Sequence, residues 1–200
     1  MLLRSYGSSS LVIDRLCDWA RGKNAAVACF YFDFAAQKEQ SPISILSSLL
    51  KQVIGGLEEI PAKITQAFRD QENAIGGRKL GLREVVGMLQ DISSSQRTLI
   101  CIDALDECMA EYRETLIDSL RQILHKSPST RIFLAGRLHI RDEVEKHLAR
   151  GVVAVSITPT RDDIVRFLRA KLKGDTIPDA MDKSLEEDII MTIPETVSEM

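Results

Sequence analysis

The sequence predicts a three-layer α/β fold built on a parallel sheet, and three observations point there. Short, continuously apolar runs alternate along the chain with amphipathic helical stretches. The apolar runs lack the in–out alternation of a strand wetted on one face, so they read as strands buried on both faces. One of them, LICIDALDEC (99–108), passes from four apolar residues straight into a group of acids. In open parallel sheets ligands bind beyond the carboxyl ends of the strands.

The elements follow in order. SLVIDRLCDWA (10–20) has helical character. AAVACFYFDF (25–34) is apolar and aromatic, and reads as the first strand. SPISILSSLLKQVI (41–54) reads as a helix: Ser41 can cap it, Pro42 suits its first turn, and Ile43, Leu46, Leu49, Leu50, Val53 and Ile54 share a face. A second helix is expected over 61–73, broken by Gly76-Gly77. GLREVVGMLQDISSS (81–95) is helical by period through Leu82, Val85, Val86, Leu89 and Ile92.

TLICID (98–103) is a buried strand. A long helix over 110–125 follows, through Leu116, Leu120, Ile123 and Leu124. RIFLAGR (131–137) is a strand and 140–148 a helix. VVAVSIT (152–158) is predicted as a fourth strand. Thr160 to Asp163 resembles a capping box, with Asp in place of the usual Glu or Gln, and opens a helix through Ile164, Phe167, Leu168 and Leu172. PDAMDKSLEEDIIMTI (178–193) predicts a last short helix.

Composition narrows the function classes. The chain has 200 residues, of which 44% are hydrophobic and 28% charged, so a sizeable core is within reach. A net charge of -3 argues against a dedicated nucleic-acid binder, which would carry a basic face. No apolar run reaches the length of a membrane span, and the first ten residues are too short and polar for a signal peptide. Cys17, Cys29, Cys101 and Cys108 form no C-x-x-C pair, and three lie in apolar stretches, which predicts buried thiols in a reducing compartment. His125, His139 and His147 have no metal-ligand spacing and read as surface or packing residues.

The acids carry the chemistry. A nucleoside triphosphate arrives with magnesium, and an enzyme that uses it needs a carboxylate held rigidly near the metal's water shell. Asp103, at the end of a buried strand, is the candidate. Asp106 or Glu107 can orient or deprotonate a water for attack on a γ-phosphate. The plainer alternative for these two is that they favour the dipole of the helix that follows. Arg137 ends the next strand and can meet transition-state charge, or can be an ordinary surface arginine.

Taken together the segments resemble a NACHT-type NTPase domain of the STAND class of P-loop ATPases. They are most similar to nucleotide-binding modules of large fungal proteins with ankyrin or other repeats, related to the nephrocystin-like N-terminal domain. FYFDF (30–34), SPISILSSLLKQVI (41–54), LICIDALDEC (99–108), RIFLAGRLHIRDEVEKHL (131–148) and ITPTRDDIVRFLRAKL (157–172) carry the resemblance in order and spacing. It implies a P-loop-type parallel sheet that binds ATP or GTP with Mg2+ and switches between closed and open, oligomerising states. By motif, Asp103 corresponds to the Walker B magnesium aspartate, Asp106 and Glu107 to the acidic pair after it, and Arg137 to the sensor-like arginine. The family often has Pro after that arginine; here Leu138 stands there. The resemblance further implies a partial NACHT core over 1–173 and the start of a following helical region over 174–200. It implies a cytoplasmic signalling role, with nucleotide and protein partners or self-association, and with no nucleic acid and no membrane.

One part of the family pattern is missing. No G-x-x-x-x-G-K-[ST] occurs in the chain, and no lysine precedes Lys23. Gly7 with Ser8, Ser9 and Ser10 reads as a helix lead-in, not as a phosphate cradle, which needs a nest of amides and a cation. The expectation is a chain that starts inside the domain, without the N-terminal strand and P-loop, inactive in hydrolysis and poorly soluble by itself. The competing reading is a non-catalytic interaction or scaffold module with a degenerate nucleotide site. A flavodoxin-like or Rossmann enzyme is weaker still, because no G-x-G-x-x-G follows a strand.

Overall fold

The computed structural model describes residues 6–57, 59–73, 80–148, 152–157, 160–173 and 182–198. They divide into two compact units, Met1–Val152 and Val153–Met200.

The first unit is built on three strands, β1 (Ala25–Tyr31), β2 (Arg97–Asp103) and β3 (Arg131–Leu134), in the order β1-β2-β3 and all parallel. Cys29 lies opposite Cys101 and Tyr31 opposite Asp103, while Ile102 lies opposite Leu134. Three of the four expected strands are therefore present: β1 and β3 end earlier than expected, and β2 begins one residue sooner. Residues Phe34–Glu39 leave the sheet for a short 3-10 turn, which Asp33 caps by accepting from the Ala35 N–H at 3.0 Å.

Helices cover both faces. Ala26 and Ala28 of β1 and Ile100 and Ile102 of β2 share one core cluster with residues of α2 (Pro42–Gly55), α4 (Leu82–Ser95) and α5 (Ala110–Lys126). Ile64 of α3 (Ala62–Asn73) joins it. The alternate residues of each strand point to the opposite face, as the two-residue period requires. There α1 (Tyr6–Ala20) packs on β1 and β2, and its Cys17 comes within electrostatic range of Cys29 and Cys101. The α6 helix (Arg141–Leu148) packs against α5.

The helix signals in the sequence have local causes that the structure makes visible. The Ser41 hydroxyl accepts from the Ser44 N–H at 3.4 Å, and Pro42 sits in the first turn of α2. On α2 the buried aliphatic residues are Ile45, Leu46, Leu49, Leu50 and Val53; four of them are on the expected stripe, Ile45 is added, and Ile43 and Ile54 are partly buried. Gly81 enters α4 with its N–H bonded to the Glu84 carboxylate at 2.7 Å. The Gly7–Ser10 run is part of α1 itself, not a lead-in to it. Gly76 and Gly77 lie outside the described residues.

The expected fourth strand is a correction. Among the described residues, 152–157 belong to no sheet, and Val153, Val155 and Ile157 are 86%, 76% and 80% exposed. Thr158 lies outside the described residues. A strand exists through its ladder of inter-strand hydrogen bonds. The apolar side chains are present here, but among the described residues the ladder is not.

The second unit contains α7 (Arg161–Lys173) and α8 (Lys183–Ser198), which pack on each other. The capping box at Thr160 forms. Its hydroxyl accepts from the Asp163 N–H at 3.2 Å, and the Asp163 carboxylate accepts from the Thr160 N–H at 3.1 Å. The Thr160 hydroxyl, donating to the Asp163 carboxylate at 2.6 Å, and then the Thr160 N–H hold that carboxyl below the usual range. The final helix runs five residues beyond the expected end at Ile193 and carries Pro194 inside it. The segment 174–180, where the sequence places a domain boundary, is outside the described residues. No described helix is long and apolar enough to cross a membrane.

Candidate functional site

Parallel pairing decides where the sequence candidates meet. Because β2 and β3 run the same way side by side, the residues after Asp103 and those after Leu134 emerge at one end of the sheet. Asp103 is the last residue of β2, half-buried, and its carbonyl accepts from the Phe32 N–H at 3.2 Å. Arg137 lies three residues beyond the end of β3.

Immediately after Asp103 the chain turns sharply. Ala104 has φ 54 and ψ 42, the left-handed conformation. For a residue with a Cβ this costs on the order of 1–3 kcal/mol, and it persists only where the surroundings hold it. What holds it is visible. The turn brings the Leu105 N–H to the Ala135 carbonyl at 2.9 Å, while the Ala135 N–H donates to the Ile102 carbonyl at 2.9 Å. The loops that follow β2 and β3 are thus laced together past the end of the sheet.

The lacing continues through side chains. Asp106 accepts from the Arg137 backbone N–H on Oδ1 at 3.2 Å, and its Oδ2 lies 3.2 Å from the Arg137 Nε. The Asp106 side chain is 7% exposed and that of Arg137 is 52% exposed. Glu107 is buried, and its carbonyl accepts from the Gln37 amide of the 34–39 turn. Leu105, directly before Asp106 and fully buried, anchors the 3-10 turn Leu105–Glu107 in the core.

Of the four sequence candidates, then, Asp106 and Arg137 are in direct contact. Asp103 and Glu107 flank them on the same loop. Among the described residues no group of three or more His, Cys, Asp or Glu could hold a metal ion. Asp103 by itself suits magnesium, which keeps most of its waters and takes one or two carboxylates plus phosphate oxygens. Asp106 does not suit a metal, since both its oxygens face Arg137.

Three contributors escape the sequence reading. Gln37 braces Glu107 from an irregular turn with no periodic signal. Arg113, on the first turns of α5, donates from Nη1 to the Cys108 carbonyl at 3.1 Å and from Nε to Glu143 of α6 at 2.9 Å. Its place five residues after Cys108 was the available clue. Gly136 stands against the acids: a Cβ there would lie 3.3 Å from Asp106 Oδ1 and 2.8 Å from Ile140 Cδ1. A glycine directly before the candidate arginine was legible as a site of close approach.

The cysteines differ in part from expectation. All four are free; Cys101 and Cys108 are buried, Cys29 is half-buried and Cys17 is exposed. Burial pushes the Cys101 thiol up to about 12 and the Cys108 thiol up to about 11. Both are therefore packing groups at neutral pH, not nucleophiles.

Among solved structures the chain is similar to a Walker-type ATPase of Pyrococcus abyssi, with a TM-score of 0.45 and 14% identity. The match covers 98% of this chain and 65% of that one, so the chain spans somewhat under two thirds of that protein's length. No curated protein matches it. The nephrocystin 3 N-terminal family pattern matches residues 7–137, a stretch that holds the whole sheet, the acidic loop and Arg137. On that match the chain belongs to the nephrocystin 3 N-terminal family.

Proposed function

We propose that the chain supplies the acid-and-arginine side of a nucleotide-phosphate site in a NACHT-type, STAND-class switch module. The single observation that carries this reading is the convergence of Asp103, the 105–107 turn and Arg137 at the carboxyl end of two adjacent parallel strands. That is where such folds bind ligands. In this reading Asp103 faces the water shell of Mg2+, and Glu107 orients the attacking water. Arg137 meets the γ-phosphate of ATP or GTP. The metal, when bound, would neutralise phosphate charge. The reading places the module in a cytoplasmic signalling protein with a core over 1–173 and helices beyond it, regulated by protein partners or self-association and of the fungal, repeat-bearing kind.

A second reading has its own observation. The sequence contains no Walker A lysine and no G-x-x-x-x-G-K-[ST] loop, and that loop supplies much of the grip on the β- and γ-phosphates. A scaffold module with a degenerate site would look the same in this respect. Hydrolysis by the chain is expected at background on either reading.

Titration of the purified chain with Mg-ATP and Mg-GTP into the millimolar range separates the two. The nucleotide reading expects magnesium-dependent binding that Asp103→Asn weakens about tenfold, the loss of one charge-assisted contact. Absence of binding in the unmodified chain would hand first place to the scaffold. Phosphate release abolished by Asp103→Ala would overturn the expected inactivity.

A further inference from the structure

We propose that Asp106 is a positioning residue that holds Arg137 by its backbone and its Nε together, so that the two Nη nitrogens are presented to a phosphoryl group. For the identity of the ligand this rests on the nucleotide reading above.

Both carboxylate oxygens are committed to one residue. Oδ1 takes the Arg137 N–H and Oδ2 faces its Nε, each at 3.2 Å. A general base needs an oxygen open to the water it activates, within hydrogen-bond reach. Asp106 has neither oxygen open in this arrangement. An arginine has five N–H donors in a rigid fork. The Asp106 carboxylate lies on the Nε side of the guanidinium as an ion pair, and among the described residues the four donors on Nη1 and Nη2 make no hydrogen bond.

A second arginine in the same unit shows the contrast. Arg113 uses both Nε and Nη1 on protein acceptors, and its side chain is only 13% exposed. It is a brace. Arg137 is held at one point of its fork, with half of its side chain open to solvent. Two attachments, one on the backbone and one on the side chain, remove most of its rotamer freedom before any ligand arrives. Binding then avoids that ordering cost. The terminal fork that remains matches two oxygens of a phosphoryl group.

The geometry depends on Gly136. A Cβ at this position would sit 3.3 Å from Asp106 Oδ1 and 3.4 Å from the Asp106 N. The missing side chain is what lets the buried acid approach the 135–137 backbone.

The test is side-chain NMR of the whole chain labelled with 15N-arginine. Arg137→Lys identifies the Arg137 Nε–Hε signal by removing it. Exchange of that Hε with water should be about threefold or more slower in the unmodified chain than in Asp106→Asn, because the carboxylate 3.2 Å away favours the protonated guanidinium. Gly136→Ala, which crowds Oδ1, should give an intermediate rate, and it serves if Asp106→Asn fails to fold. Mg-ATP should shift the Arg137 signals more than Mg-ADP does while leaving Hε protected. Equal exchange rates in all these proteins would overturn the tether. Faster Hε exchange on adding Mg-ATP would overturn positioning, because the pair would then be a lock that nucleotide opens. No shift with either nucleotide would sink the nucleotide reading and the presentation to phosphate together, while slow exchange in the unmodified chain would still uphold the tether.

Discussion

TLICID (98–103) and VVAVSI (152–157) are both short, apolar and rich in β-branched residues, yet they have opposite fates. The first is β2, with Thr98 to Ile102 buried between two parallel neighbours and helices on both faces. The second joins no sheet among the described residues, and its Val153 and Val155 are largely exposed. Hydrophobic pattern was as good a strand signal in one as in the other. The difference is the partner: an apolar run becomes a strand where neighbouring chains accept its N–H and C=O groups. One edge of the sheet teaches the same lesson on a smaller scale. Beside β1, Gln52 of α2 takes the place of a strand, accepting from the Cys29 N–H at 2.9 Å and donating to the Cys29 carbonyl at 2.8 Å.

The largest expected effect comes from truncating equivalent positions in the two runs. Ile100→Ala should cost about 2–5 kcal/mol, the range for emptying a fully packed core position. Val155→Ala should stay within about 0.5 kcal/mol. Denaturant unfolding of both variants measures the pair. A Val155→Ala loss as large as that of Ile100→Ala would show that 152–157 is buried in solution and break the contrast.

An intermediate effect is expected at the strand edge. Gln52→Ala leaves the Cys29 N–H and C=O without their side-chain partner, which should cost about 1 kcal/mol. Hydrogen exchange at the Cys29 amide should accelerate while that of Ile100 stays unchanged. Unchanged Cys29 exchange would mean that the amide side chain does not act as a surrogate strand.

The smallest effect lies in the helical layer and depends on pH. Asp91 of α4 meets Lys63 of α3 at 2.7 Å and Lys126 of α5 at 3.5 Å. Its hydrogen bond to Lys63, helped by the charges of Lys63 and Lys126, holds its carboxyl below the ordinary 3.8. A depressed carboxyl stabilises the fold above its unfolded range and loses that contribution as pH falls through its folded value. The groups are largely exposed, so the contribution is under about 1 kcal/mol and weakens in salt. Asp91→Asn should therefore be slightly less stable than the unmodified chain at pH 7 in low salt. The two should become equal below the acid range or in high salt, as thermal melts would show. A difference that grows on acidification would reverse the sign and discount the pairing.

The elements themselves were legible because their causes are local. The Ser41 cap, the Thr160–Asp163 box and the periods of 82–95 and 110–126 act within a few residues. The site was legible in part for the same reason. Asp103 and Glu107 stand on one continuous motif, and the parallel sheet inferred from continuous apolar runs predicts that the loop after the next strand emerges beside them. The pairing of Asp106 with Arg137 was not legible, since 31 residues separate them and neither position has a periodic neighbour to betray it.

By itself the sequence determined which stretches are helical, which runs are apolar enough for a sheet core, and that acids follow the central run. Those properties depend on backbone preference and side-chain spacing within a turn or two. Tertiary structure alone decided which apolar run finds a strand partner, that Ile45 is more buried than Ile43 on α2, and which of the acids takes Arg137. Those outcomes depend on hydrogen-bond partners and packing surfaces brought together from distant parts of the chain.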